Sequence, residues 1–230
     1  MNTPLFFLPG LMCNEKLWHQ VWPLLNSDLK PQAINFGAHH NMDAMQTDIT
    51  QSLDLEPANL VGFSMGGYLA MRYATQFPQS INKLVLICAT GSNLTKHEQT
   101  KRKKIIAYAK SNYYSGINDQ RIKQFVHPKN AKGSVADTIK QMDQELGKQY
   151  LIAHMEATAE RPALYSQLSR LDCPVLLIAA EQDTLIPPSQ MELLTKYFKH
   201  ATLKVVQDCG HMSPLEAPKQ VATWINEFMS

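Results

Sequence analysis

The stretch Leu60-Val61-Gly62-Phe63-Ser64-Met65-Gly66-Gly67 reads as a short buried strand, one serine on a tight turn, and the start of a helix. The apolar residues before the serine, Leu60, Val61 and Phe63, suit a strand covered on both faces. After it, Met65, Leu69, Tyr73 and Phe77 recur at helical spacing. Gly62 and Gly66 bracket Ser64 in a Gly-x-Ser-x-Gly pattern. A serine forced into a strained strand-to-helix turn needs such neighbours, because a Cβ on either side would strike the turn. The helix start behind it brings free backbone N–H groups and a positive dipole end, both suited to a developing oxyanion.

On the N-terminal side, residues 3–8 predict a first strand ended by Pro9-Gly10, and residues 32–36 a weaker second one. Asn14 predicts a helix cap, with Leu17, Trp18, Val21 and Trp22 as the apolar face and Pro23 kinking or ending the helix. Asn41 caps a better helix, in which Met42, Met45, Ile49 and Leu53 share a face. On the C-terminal side, uninterrupted apolar runs at 83–89, 174–180 and 201–206 complete a set of about six strands. Such runs, joined by helices of a dozen residues, predict an α/β fold: a mostly parallel sheet with helices on both faces. Ligands of these sheets bind at the strands' carboxyl ends, which is where Ser64 stands.

Between the fourth and fifth strands the alternation stops. Helix-like stretches at 96–114, 119–127, 135–150 and 151–160 follow one another, with turn signals at Gly116, Pro128 and Gly133. This predicts a helical cap inserted after the fourth strand, with residues 1–91 and 171–230 as the core and 92–170 as the cap. Residues 93–150 hold twelve Lys and Arg against five Asp and Glu, a net +7, densest at Lys101-Arg102-Lys103-Lys104. A solvated helix face accounts for most of these charges; a positive rim attracting an anionic substrate is the functional alternative.

At 230 residues the chain fits one medium domain, and a hydrophobic share of 44% argues against disorder. A net charge of +2 gives no reason to expect nucleic acid, and no apolar run is long enough for a membrane span. The N-terminus lacks the basic residue of a secretory signal. Cys13, Cys88, Cys173 and Cys209 form no C-x-x-C or Cys/His metal pattern, so reduced thiols in a cytoplasmic protein without metal or cofactor are expected. Cys13 and Cys209 lie near the site, where small apolar filler is their expected role.

Serine is a poor nucleophile at its own pKa and needs a positioned base. The strand at 174–180 runs into Glu181-Gln182-Asp183, and the strand at 201–206 into Asp208-Cys209-Gly210-His211. An acid and a histidine in loops at the same sheet edge can reach the serine. Asp183 is preferred over Glu181, which is nearer the strand, and over Asp208, which is too close to His211. Gly210 is expected to permit a tight turn, and Ser213-Pro214-Leu215-Glu216 to form a capping box starting the last helix. The oxyanion donors are expected to be the backbone N–H groups of Met65 and Leu11, with Gly10 turning the chain sharply before Leu11. Leu11, Met65, Met142, Leu146, Leu151 and Met155 are candidate linings of an apolar acyl pocket.

These blocks resemble the α/β-hydrolase superfamily over nearly the whole chain: Leu8-Pro9-Gly10-Leu11 with Trp18, Gly62-Phe63-Ser64-Met65-Gly66-Gly67, Glu181-Gln182-Asp183 with Pro187, and Gly210-His211-Met212 with Glu216 and Pro218. The order Ser64, Asp183, His211 is that of the superfamily. Many members carry His-Gly where this chain has Pro9-Gly10, and longer ones begin with an antiparallel hairpin before this first strand. A serine at 64 argues against the dehalogenase and epoxide-hydrolase branches, which use aspartate there. The resemblance implies a capped serine hydrolase cleaving a small ester or thioester. A C–C bond hydrolase, a cofactor-free perhydrolase or a ligand receptor on the same fold are the alternatives.

Overall fold

A computed structural model describes residues 4–54 and 56–230. Among these, six strands form one wholly parallel sheet: β1 (Leu5–Leu8), β2 (Pro31–Ala33), β3 (Ala58–Phe63), β4 (Ile81–Ile87), β5 (Val175–Ala180) and β6 (Ala201–Val206), in the spatial order β2-β1-β3-β4-β5-β6. Thr3, expected in the first strand, lies outside the described residues. The central strands are apolar on both faces because both faces are covered. Leu60, Leu84, Leu86, Val175 and Leu177 point into one core with α1 (Met42–Leu53) and α2 (Met65–Gln76). Val61, Phe63, Val85, Ile87, Leu176 and Ile178 point into the other, with Trp18, Val221 and Ile225. Phe7 and Trp18 meet edge to face there, 5.0 Å between ring centres.

The expected helix after Asn14 is instead two 3-10 turns, Glu15–Trp18 and Trp22–Leu24. Asn14 does cap the first, accepting from the Lys16 N–H. Pro23 lacks a donor and its ring would strike the carbonyl of His19, so an α-helix cannot run through. Asn41 caps α1 as expected, through the Ala44 N–H at 2.8 Å. The weak second strand is shorter and earlier than its apolar residues suggest: only Pro31–Ala33 pairs with β1.

Between β4 and β5 the chain is helical: α3 (Lys96–Ser111), α4 (Asp119–Ile122), α5 (Ser134–Ala157) and α6 (Tyr165–Leu168) form the cap inserted after the fourth strand. The two helices expected at 135–150 and 151–160 meet in α5 across a kink at Gly147 (φ 69°, ψ −175°). The helix expected over 119–127 is a single turn. After β5 come α7 (Pro188–Thr195), then β6, α8 (Ser213–Glu216) and α9 (Pro218–Met229).

The capping box at Ser213 is not formed. Met212 precedes α8, and Glu216 instead accepts from the His127 N–H and from Asn130 Nδ2, tying the cap to the core. The last helix starts afresh at Pro218.

Candidate active site

Ser64 sits between β3 and α2 with φ 50° and ψ −112°, a backbone conformation that costs a non-glycine residue of order 1–3 kcal/mol. The surroundings hold it there by close contact. A Cβ on Gly62 would lie 2.6 Å from the Gly67 Cα, and one on Gly66 would lie 2.2 Å from the Leu8 carbonyl oxygen and 2.5 Å from that of Pro9. The loop after β1 therefore abuts the serine turn. Gly10 belongs to this packing: its φ is not left-handed, and a Cβ would strike the Phe63 ring at 2.8 Å. The expected sharp turn at Gly10 is thus a close approach, and the left-handed residue of the loop is Met12 (φ 57°).

The structure brings Ser64, Asp183 and His211 together. His211 Nδ1 lies 2.7 Å from Asp183 Oδ2, and Nε2 lies 3.1 Å from Ser64 Oγ. An ionised carboxylate only accepts, so Nδ1 carries the proton and Nε2 accepts from the serine hydroxyl. The other carboxylate oxygen, Asp183 Oδ1, accepts from the backbone N–H groups of Leu185 (2.8 Å) and Ile186 (2.9 Å). Asp183 and His211 are 3% and 5% exposed, so the pair works out of water while Ser64 stays partly open. The Phe63 ring packs 5.0 Å from the imidazole. Glu181 and Asp208, the other acids weighed, turn to each other: Glu181 accepts from the Asp208 N–H.

Gly210 is needed for a different reason from the one expected. Its φ is ordinary, but a Cβ there would lie 2.6 Å from the His127 N and from the Val126 carbonyl carbon. The cap backbone crosses the histidine loop at this point. Leu11 lies in the loop against the serine turn and Met65 begins α2; neither N–H has a hydrogen-bond partner among the described residues. Met142 is fully buried with Ile122 and Ile139, and Leu146 and Leu151 are half-buried.

Cys88 and Ser213 lie near the acid, where the sequence suggests only a strand residue and a helix cap. Cys88 directly follows β4 with φ 46°, and its sulfur lies 3.5 Å from Ser213 Oγ. Burial and the Asp183 charge keep the Cys88 thiol protonated. Cys88, Asp183 and His211 each bring a ligand-type atom within 4.8 Å of the others. They do not fit a metal, because Nδ1 and Oδ2 face each other at 2.7 Å, closer than the separation of about 3.3 Å that ligands around a tetrahedral zinc require. Cys13 is buried too, its pKa pushed up to about 12 by desolvation. A groove of about 650 Å³ lies elsewhere, between the start of α1 and the helices α3 and α5, and Ser64 does not line it.

The family model for the α/β-hydrolase fold matches residues 8–218. This chain belongs to the α/β hydrolases. Its curated relatives include the pimeloyl-[acyl-carrier protein] methyl ester esterase of Neisseria meningitidis, 23% identical over 97% of this chain and 92% of that protein. Human monoacylglycerol lipase ABHD6 is 23% identical over 98% of this chain and 75% of the lipase. Among solved structures, a thermophilic esterase from Thermogutta terrifontis superposes with a TM-score of 0.87 at 22% identity, covering 99% of this chain and 89% of its own. MenH from S. aureus gives 0.85 at 20% identity, covering 100% and 94%. These last two likenesses speak to the fold.

Proposed function

We propose that this α/β hydrolase cleaves a small carboxylic ester or thioester through an acyl-enzyme on Ser64. The observation that carries the reading is the imidazole of His211, bonded at one nitrogen to Asp183 and at the other to the Ser64 hydroxyl. His211 takes the hydroxyl proton as Ser64 Oγ bonds to the acyl carbon. The resulting oxyanion accepts from the backbone N–H groups of Leu11 and Met65. The same proton passes from His211 to the departing alcohol or thiol, leaving the acyl group on Ser64. Water, deprotonated by His211, then releases the acid. Asp183 holds the tautomer and stabilises the imidazolium. The cap, residues 92–170 in this reading, roofs the site, and the esterases among the relatives support the ester class. Free cysteines support a cytoplasmic setting.

A fluorophosphonate probe tests this. The wild type is expected to be labelled and Ser64→Ala to be blank, and a series of p-nitrophenyl acyl esters then sizes the acyl pocket. An unlabelled wild type that turns over none of the esters, yet binds a small ligand tightly, would make the chain a receptor on a hydrolase fold.

A further inference from the structure

Arg161 is 9% exposed and Arg102 is half-buried, yet neither forms an ion pair with a described carboxylate. The surface lysines Lys16, Lys110, Lys140 and Lys199 all do. Burying a guanidinium without a counter-charge is costly, and a site that retains two has a use for them.

Their placement points to the nucleophile. Arg161 Nε donates to the Ser92 carbonyl (3.0 Å) in the loop after β4, the strand beside β3. Its guanidinium lies 4.7 Å over the ring of Tyr68. Tyr68 is one turn, about 5 Å, along α2 from the serine, and its N–H bonds the Ser64 carbonyl. Arg102 Nη1 bonds Thr158 Oγ1, three residues before Arg161 at the end of α5, so both cations converge on the seam between cap and core. Each feels the other's charge: burial first, then Arg161, brings the Arg102 pKa down to about 10. The terminal nitrogens of Arg161 bond no described residue, and the side chain keeps a 9% exposure. Glu98 acts on both cations from a distance while bonded to Thr95. Two guanidinium charges less one carboxylate leave a single uncompensated positive charge, which matches a monoanion.

We propose that Arg161 and Arg102 form a carboxylate-binding subsite beside Ser64, so that the substrate carries a carboxylate in its acyl or its alcohol part. This rests on the hydrolase reading and narrows its substrate class. A planar carboxylate meets the guanidinium fork in a bidentate pair, on the seam where the cap closes over the core.

Hydrolysis followed in a pH-stat compares two matched pairs: monomethyl adipate with dimethyl adipate for the acyl side, and 3-acetoxypropanoate with propyl acetate for the alcohol side. The wild type is expected to prefer the acid at least tenfold in kcat/KM in one pair, which identifies the side. Arg161→Met and Arg102→Met are expected to bring that ratio close to one, chiefly through KM, and Arg161→Lys to retain part of it. Arg170→Met, at an exposed position, keeps the wild-type ratio. A wild-type ratio near one in both pairs, or a preference that survives both Arg→Met changes, would overturn the subsite and leave the hydrolase standing. Should fluorophosphonate fail to label the protein, melting curves with adipate and with 3-acetoxypropanoate decide the subsite without turnover. A rise in Tm with either anion that Arg161→Met or Arg161→Lys diminishes upholds it, and no rise with either overturns it.

Discussion

The serine edge of the sheet and the helical cap are held by different mixtures of contacts. At the serine edge, backbone meets backbone: the first turn of α2 lies so close to Leu8 and Pro9 that no side chain fits at Gly66. The cap is held to the core by apolar packing, with Ile122, Val126 and Ile139 in the same core as β1 and β4, by a close backbone crossing at Gly210, and by polar contacts. Glu145 accepts from the Asn14 amide and the Lys16 ammonium, Glu216 accepts from the His127 N–H, and His154 donates to the Gly37 carbonyl. Hard-sphere contacts fix positions within tenths of an ångström, whereas a part-exposed ion pair such as Lys16–Glu145 is worth about 0–1 kcal/mol and is exchanged readily. Under the proposed function, the chemistry is built on the rigid edge and substrate choice on the cap. Changes at the edge should abolish function, and changes in the cap should tune it.

The largest expected effect tests the rigid side directly. Asp183→Asn keeps the shape of the acid but presents an amide to Nδ1, favouring the wrong tautomer, and should lower kcat by about 10⁴-fold with the fold intact. Single-turnover acylation by a p-nitrophenyl ester measures this; a loss under tenfold would mean the 2.7 Å contact is not used in turnover. Gly66→Ala should follow. The added methyl would enter 2.2 Å from a carbonyl oxygen that cannot swing away, so destabilisation of about 3 kcal/mol or more is expected, read from urea midpoints. An alanine variant within about 0.5 kcal/mol of wild type would show that the edge yields after all.

The contrast also explains what the sequence disclosed. The three central strands and the residues at 64, 183 and 211 were legible because burial on both faces and loop position leave local marks in the chain. The reason for Gly210 was not local: the backbone that excludes its Cβ belongs to residues 126–127. Glu216 has the spacing of a capping box, yet the His127 N–H and the Asn130 amide compete for it from the cap. Arg102 stands in a run of four cations that reads as a solvated face, and only tertiary contact with Thr158 sets it apart. The break in α5 fell at Gly147 because a single glycine can reverse its φ there without interrupting the apolar pattern on either side.

That kink gives a smaller prediction. Gly147→Ala meets no atom within 4 Å, so only the backbone conformation opposes it, at an expected cost of about 1–3 kcal/mol in urea melts. If the cap is the adjustable region, activity on small neutral esters should survive the change while discrimination among acyl chain lengths shifts. Equal loss on all esters would mean the kink also supports the serine edge.

The smallest effect sits on the seam and depends on pH. His154 is 1% exposed; Nε2 donates to the Gly37 carbonyl at 3.0 Å, and Nδ1 has no partner among the described residues. Burial lowers its pKa from 6.5, the Gly37 carbonyl and Asp48 oppose the shift, and His39 adds to it. The native state therefore holds this imidazole neutral where the unfolded chain would protonate it. As pH falls below the unfolded value of 6.5, the unfolded state binds the extra proton and stability is lost, until the native group also titrates. His154→Gln keeps a donor toward Gly37 but cannot titrate. Its Tm should fall less than that of the wild type between pH 7 and pH 5, while the two respond alike above pH 7.5. Parallel curves over the acid range would mean that the seam opens far enough to hydrate His154. The cap would then be held by fewer contacts than its hydrogen bonds suggest.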